Sequence, residues 1–411
     1  MATHTAPVPA AAARCFDFDV IVLGAGIMGS CTAHAAVSRG ARVLLLERLD
    51  LLHGLGSSHG ESRTIRDAYP DARYPPMVRL ASRLWADAEA ESGRRVLTPT
   101  PLLLMGPRSN TSVIAAARNA GTEEVDVAAR WGGAFRLPDG WVAAVSEHGS
   151  GVLHATGAVK MFQDLAVHKG AVVRDNAEVV EIRKGPEGGV AVRTSTGEEF
   201  HGAKCVVTVG AWTRRLIKSA AGVELPIQPL HTLVLYWRIK PGREGELTAE
   251  AGFPTFSSYC DPLYVYSTPS LERPGMIKIN YHGGPPCDPD DRDLVSGGGD
   301  VVERVARWID EFMPGHVETA GGPVDQLPCM YSMTPDEDFV IDFLGGEFGQ
   351  DVVVGAGFSG HGFKMGPAVG MILAEMALDG EARTAAEAGV ELGHFRINRF
   401  EGNPMGNAKD Q

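Results

Sequence analysis

The residues whose spacing carries the plainest chemistry are Gly24-Ala25-Gly26-Ile27-Met28-Gly29, with Glu47 about eighteen positions beyond the last glycine. Such spacing builds a phosphate cradle. Gly24 permits a tight turn, Gly26 lets bare backbone approach a pyrophosphate, and Gly29 lets helix and strand pack closely. The free N–H groups that open the following helix carry partial positive charge and favour phosphate. Glu47 is spaced to accept a hydrogen bond from a ribose 2′-hydroxyl, which suits FAD or NAD better than NADP. The motif does not separate FAD from NAD, and a glycine-rich turn without a ligand is its bland alternative.

The surrounding elements favour the ligand. Asp19-Val20-Ile21-Val22-Leu23 is short, β-branched and bounded by glycine, as a fully buried strand requires. A helix follows through about Ser38, with Gly40 as its terminating glycine. A second buried strand, residues 42–46, runs into Glu47 and completes a βαβ unit. Residues 50–62 are Gly/Ser/His-rich and predict an irregular loop; Met77, Leu80, Leu84 and Trp85 predict a helix over 74–90. Residues 97–150 break into strands and short helices. A second βαβ-like pattern then runs from Gly151 through a helix (155–169), a hairpin around Thr196-Gly197 and a buried strand (204–209) ending in Gly210-Ala211-Trp212. From 226 to 323 polar and apolar residues alternate, as in residues 233–237 and 276–279, which predicts an antiparallel sheet. Residues 351–354 form a last buried strand before another glycine-rich turn and a helix to about Leu378.

The expected fold is α/β: a Rossmann-type FAD-binding domain plus a second domain with a large antiparallel sheet. The first is assembled from residues 17–98, 151–226 and 326–400, the second from 99–150 and 227–325, and residues 1–16 form a disordered tail.

Bulk properties narrow the function. At 411 residues the chain exceeds one ordinary core, so two domains are expected. A net charge of -13 argues against nucleic acid as partner, although a few local cations can still hold an anionic small molecule. Six scattered cysteines without C-x-x-C pairs fit neither a disulfide framework nor a zinc site, and no metal is expected. No apolar run is long enough for a membrane span. The last residues, 408–411, lack a Ser-Lys-Leu-type peroxisomal address, so a cytoplasmic or a peroxisomal location stays open.

Four further segments carry more specific information: Ser58-His59-Gly60-Glu61-Ser62-Arg63-Thr64-Ile65-Arg66, Lys278-Ile279-Asn280-Tyr281-His282, Pro328-Cys329-Met330-Tyr331, and residues 355–364 from Gly355 to Lys364. On these the sequence resembles the monomeric sarcosine oxidase family, within the D-amino-acid-oxidase-like flavoproteins that also include N-methyltryptophan oxidase and L-pipecolate oxidase. The likeness runs from about Phe18 to Asn398.

The resemblance implies an FAD-dependent oxidase of a small secondary amine bearing a carboxylate, with molecular oxygen as acceptor and hydrogen peroxide as product, working as a monomer. It implies that Cys329 forms a thioether to the flavin, which needs a thiolate. It places Lys278 over the flavin to assist oxygen reduction by electrostatic stabilisation. Taken alone, an alternating strand could equally point Lys278 outward. Arg66 and Lys364 are implied to grip the substrate carboxylate, where Arg66 can give two parallel hydrogen bonds and Lys364 a point charge. Without the family, a surface ion pair of Arg66 with Asp67 or Glu61 would be the plainer reading. The resemblance also implies that His282, Tyr331 and, more loosely, Tyr266 line the substrate pocket, and that His59 and Arg63 lie near the ring, Arg63 over the face opposite Lys278. Cofactor contacts are also implied for Arg48, Ser58, Thr64, Val179, Met330, Phe358, Gly360, Gly362 and Lys364. The chain departs from bacterial relatives in carrying Ser58 in place of a second histidine, and in the segment 261–275, which puts substrate identity most in question.

Overall fold

A computed structural model of the chain describes residues 16–186, 188–292 and 300–408. The tail expected over residues 1–16 lies outside the described residues but for Phe16, as do residues 409–411 of the C-terminus.

The chain opens with β1 (Phe18–Leu23), α1 (Ile27–Ser38) and β2 (Val43–Leu46). β1 is parallel to β2, with Val22 beside Leu45, and parallel to the strand Glu199–Val207 on its other side, with Val22 beside Val206. The strands Val352–Ala356 and Val340–Phe343 extend the sheet on one flank, Val172–Arg174 on the other. The hairpin Val190–Thr194 and Glu199–Val207 forms around Thr196-Gly197 as its sequence predicts. Because the central strands are covered on both faces, their side chains are buried without alternation: Val20, Ile21 and Val22 are all inaccessible.

α1 and a later helix cover one face of this sheet beside the glycine cradle. The helix Gly366–Asp379 lies so close to α1 that a Cβ on Gly370 would stand 2.5 Å from Cys31 Cβ. Tyr74–Ser92 begins with Pro75 in its first turn, where a missing N–H costs nothing, and ends at Gly93 with φ 68°. Its Met77, Leu80 and Trp85 are buried, and Leu84 packs at the edge of the same core.

Among the described residues the second sheet has nine strands, mostly antiparallel. Gln228–Ile239 pairs on one side with Met276–Tyr281 and on the other with Asp325–Met333. The latter strand, expected with the nucleotide domain, instead belongs to this larger sheet. Its alternation puts Cys329 and Tyr331 on one face, opposite Thr232 and Leu230 of its neighbour. A three-stranded sheet made of Arg63–Ile65, Leu97–Pro99 and Gly151–Leu153 ties the loop before Arg63 to the rest. No helix among the described residues is long and apolar enough to cross a membrane.

Candidate active site

The cradle follows its sequence closely. Gly24 has φ 91°, and a Cβ there would stand 2.7 Å from Thr208 O. A Cβ on Gly29 would meet Gly24 O at 1.8 Å, so only glycine lets α1 start this near the turn. Ser58 occupies the helix entrance, its hydroxyl accepting the Ile27 N–H at 3.1 Å. Glu47 is buried and accepts N–H bonds from Ala25 at 2.8 Å and Leu49 at 3.1 Å. Burial alone would raise its pKa. His53 and the two backbone N–H groups outweigh that and hold the carboxyl below the usual range. Arg48 pairs with Asp290 at 2.8 Å and lies over the Trp212 ring.

From this cradle a continuous cavity of about 1150 Å³ runs to the second sheet, beyond the ~300–1,000 Å³ of ordinary small-molecule pockets. Of the site residues singled out in the sequence, Gly29 alone does not line it; Thr64, Val179, Met330, Phe358 and Gly362 all do. Gly29 acts from behind, in packing.

Strand alternation explains the far wall. Ile277 and Ile279 are inaccessible in the core of the second domain, so Lys278 faces the cavity and is only 4% exposed, not turned to solvent. Its Nζ donates to Ser62 O at 3.0 Å and to the Ser62 hydroxyl. Burial lowers its pKa to about 8, with Glu272 opposing the fall and Arg63 adding to it.

Arg63 is fixed by three carbonyls, Ser62 O (2.8 Å), His59 O (2.8 Å) and Ser57 O (3.1 Å), and its Nη2 lies 3.7 Å from Cys329 Sγ. Burial pushes the Cys329 thiol up, but His59, Arg63 and the Met330 N–H together bring it down to about 6. The other four described cysteines are all pushed the opposite way by burial. Ser57 Oγ and Arg292 bind the carbonyls of Met330 and Cys329, at 2.6 and 2.9 Å, and hold this stretch of strand in place.

At the other end Arg66 and Lys364 converge on one tyrosine. Lys364 Nζ donates to Tyr69 OH at 3.0 Å and to His361 O at 2.7 Å, while the Arg66 guanidinium lies 4.8 Å from the Tyr69 ring centre. Arg66 also donates to Tyr264 OH at 2.8 Å and to Ala68 O. These partners are neutral, and Glu61, one of the two ion-pair partners considered from sequence, pairs with His154 instead. Burial, then Arg66, push the Lys364 amine well below its ordinary value. Burial and the two cations push His282 down to about 4, so it stays neutral near pH 7. Tyr266 and Tyr331 share a hydroxyl–hydroxyl bond of 3.0 Å. Gly360, at φ 75°, leaves room that a Cβ would take from His282 and Tyr331, each 2.7 Å away.

Sequence reasoning missed Tyr69, Tyr264 and His361. Tyr69 stands three residues after Arg66 and His361 three before Lys364, which is the only signal that could have found them. Trp85 was read as core alone, yet its Nε1 donates to Lys364 O at 2.8 Å and anchors that turn.

The groove fits a flavin dinucleotide. The glycine cradle offers bare backbone, and the low-pKa thiol of Cys329 faces the same cavity. Thr232 Oγ1 and Ser332 Oγ also line the cavity, buried without a hydrogen-bond partner among the described residues.

A dinucleotide cradle joined to a sheet-walled, cation-bearing pocket defines a flavoprotein oxidoreductase, and residues 19–376 match the family model described as FAD dependent oxidoreductase; the chain belongs to that family. This sets aside the nicotinamide alternative. Among curated relatives, it is 51% identical to a "probable sarcosine oxidase" of Arabidopsis thaliana, over 96% of this chain and 95% of that protein. It is 36% identical to the peroxisomal sarcosine oxidase of Homo sapiens (93% and 96% covered). It is 33% identical to the monomeric sarcosine oxidase of Bacillus sp. (strain NS-129) (93% and 97%). Among solved structures the fold is shared with NikD, an amino acid oxidase of nikkomycin biosynthesis, at TM-score 0.77 and 22% identity over 92% of this chain and 97% of that one.

Proposed function

We propose that the chain is an FAD-dependent oxidase of a small secondary amino acid, sarcosine-like or pipecolate-like, with its flavin fastened through Cys329 and oxygen as electron acceptor. One observation carries the reading: two buried cations, Arg66 and Lys364, whose hydrogen-bond partners are neutral, face the same cavity that holds the dinucleotide cradle. A substrate carboxylate supplies the missing negative charge. FAD, when bound, takes up the two electrons released at the C–N bond and passes them on to oxygen.

The chain's own residues do the rest. Arg66 and Lys364 anchor the carboxylate, whose negative charge opposes the burial that lowers the Lys364 amine. The same cations disfavour an ammonium nearby, so the substrate nitrogen is held as the free amine with its lone pair available. His282, neutral with a pKa of about 4, adds no third charge. The Tyr266–Tyr331 pair and Gly360 shape the space beside it. Lys278 presents a cation where charge develops on oxygen, and the imine product is hydrolysed by water.

A monomer is the proposed working unit, since one chain supplies every group named here. Of the two locations expected, the likeness to the human peroxisomal sarcosine oxidase favours the peroxisome. The decisive experiment is a panel of sarcosine, pipecolate, N-methyl amino acids and proline, read by peroxide release. The reading predicts peroxide with secondary amino acids and none with the matching amines that lack a carboxylate. A yellow protein that releases none with any of them would overturn it.

A further inference from the structure

Behind Lys278 the cavity wall carries a chain of hydrogen bonds that the chemistry above leaves unused. The Ser62 hydroxyl accepts from Lys278 Nζ and donates onward to Glu272 Oε1 at 2.7 Å. Tyr236 OH donates to the same carboxylate oxygen at 3.1 Å. Ser62 and Lys278 are almost wholly buried, at 2% and 4% exposure, and both line the cavity. Glu272 is half-buried, on the turn between the strands Leu263–Thr268 and Met276–Tyr281, and stands outside the cavity lining. The order from inside to outside is ammonium, hydroxyl, carboxylate, each one hydrogen bond from the next.

A serine hydroxyl both donates and accepts, so it passes a proton when a donor and an acceptor flank it. Ser62 is flanked in that way. The other charges around the chain are engaged elsewhere. Arg63 and Cys329 act on Lys278 from the cavity side. Arg273, over the Tyr236 ring at 4.0 Å, pairs with Asp325 and also acts on Glu272 through its charge, and Glu61 acts on Tyr236 from farther off.

We propose that Glu272, acting through Ser62, is a positioning residue that keeps Lys278 an ammonium and returns to it the proton it gives up in oxygen reduction. The proposal rests on the oxidase reading above. Oxidation of the amine releases two electrons and two protons, and reduction of oxygen to hydrogen peroxide consumes the same number. One proton travels with the C–H hydrogen; the other leaves the substrate nitrogen for solvent and must be replaced at oxygen. An N–H bond of Lys278 breaks as an O–H bond forms on the reduced oxygen. The neutral amine then takes the Ser62 hydroxyl proton as Ser62 takes one from Glu272, whose carboxylate draws that proton from water and is left a carboxylate again. The carboxylate also opposes the burial that lowers the lysine, so its removal makes Lys278 lose charge at lower pH.

The test is stopped-flow on the holoenzyme, which separates the two halves of turnover. Enzyme reduced with dithionite is mixed with oxygenated buffer from neutral to alkaline pH, and flavin bleaching by the amine is timed separately without oxygen. In Glu272→Gln, reoxidation should slow by at least about tenfold while bleaching stays within about twofold of the parent. Its decline with pH should begin about one pH unit lower than in the parent. Glu272→Asp should recover part of the rate, and Ser62→Ala should repeat the loss with its own side chain removed. Unchanged reoxidation in both Glu272→Gln and Ser62→Ala, or equal slowing of both half-reactions, overturns the relay and leaves the oxidase reading standing. A parent enzyme that oxygen reoxidises no faster than free reduced flavin overturns the oxidase reading, and the relay with it.

Discussion

Replacing Arg63 with glutamine should lift the Cys329 thiol back toward the ordinary range and slow attachment of the flavin. The guanidinium stands 3.7 Å from the sulfur. Two unit charges that close, at the effective dielectric of a protein, interact by about 4 kcal/mol, and an opposite charge within hydrogen-bond reach moves a pKa by roughly 1–3. In the parent, burial raises the thiol but His59, Arg63 and the Met330 N–H bring it from 9.0 down to about 6. At neutral pH roughly nine-tenths of it is therefore thiolate, and a rise of about 2 would reverse that proportion. The assay is alkylation by iodoacetamide across pH on chain produced without riboflavin, with each cysteine-containing peptide quantified by mass spectrometry. Cys31, Cys205, Cys260 and Cys287 are all raised by burial, so in the parent Cys329 should label first among the described cysteines at mildly acidic pH. A parent midpoint near that of free cysteine, or the same midpoint with and without Arg63, would refute the reasoning.

Arg66→Ala should weaken carboxylate-bearing substrates by about 2–5 kcal/mol, seen in KM, while amines without a carboxylate bind as before; equal loss for both classes would move the anchor elsewhere. Gly360→Ala forces a side chain onto φ 75° and into His282 and Tyr331, so the thermal midpoint should drop by the equivalent of about 1–2 kcal/mol as KM rises. No change in either would mean the turn relaxes freely. Lys278→Met tests the cost of the buried cation: the folded chain holds this amine at about 8 against an ordinary 10.5, so the unfolded chain keeps a proton that the native one releases between those values. Native stability therefore rises with pH across that window, and below it the methionine variant should be more stable by up to about 3 kcal/mol, the gap closing toward pH 10.5 in urea midpoints. A gap that ignores pH would mean the charge is solvated.

The parts of the fold that were legible in the sequence are those set by local pattern. β1, α1 and β2 follow from a buried apolar run, a glycine cradle and a second run, and the structure places them as read. The strand Asp325–Met333 was misplaced because alternation reveals a strand but not which sheet it joins; pairing with Gln228–Ile239 is a long-range event. The residues lining the site were legible through motifs shared with a family, such as Arg66 within Ser58–Arg66. Tyr69, Tyr264 and Glu272 belong to no motif. Each matters only because a distant segment meets it: Tyr264 reaches Arg66 across 198 positions, and Glu272 reaches Ser62 across 210.

Cys329 stands on a strand of the larger sheet, whereas the glycine turn at Gly24–Gly29 belongs to the parallel one. Whatever is bonded to that sulfur while lying along that turn acts as a rivet through both halves of the molecule. Swinging the halves apart is then closed as a way in or out. A chain made without its rivet should be the looser and more readily digested of the two.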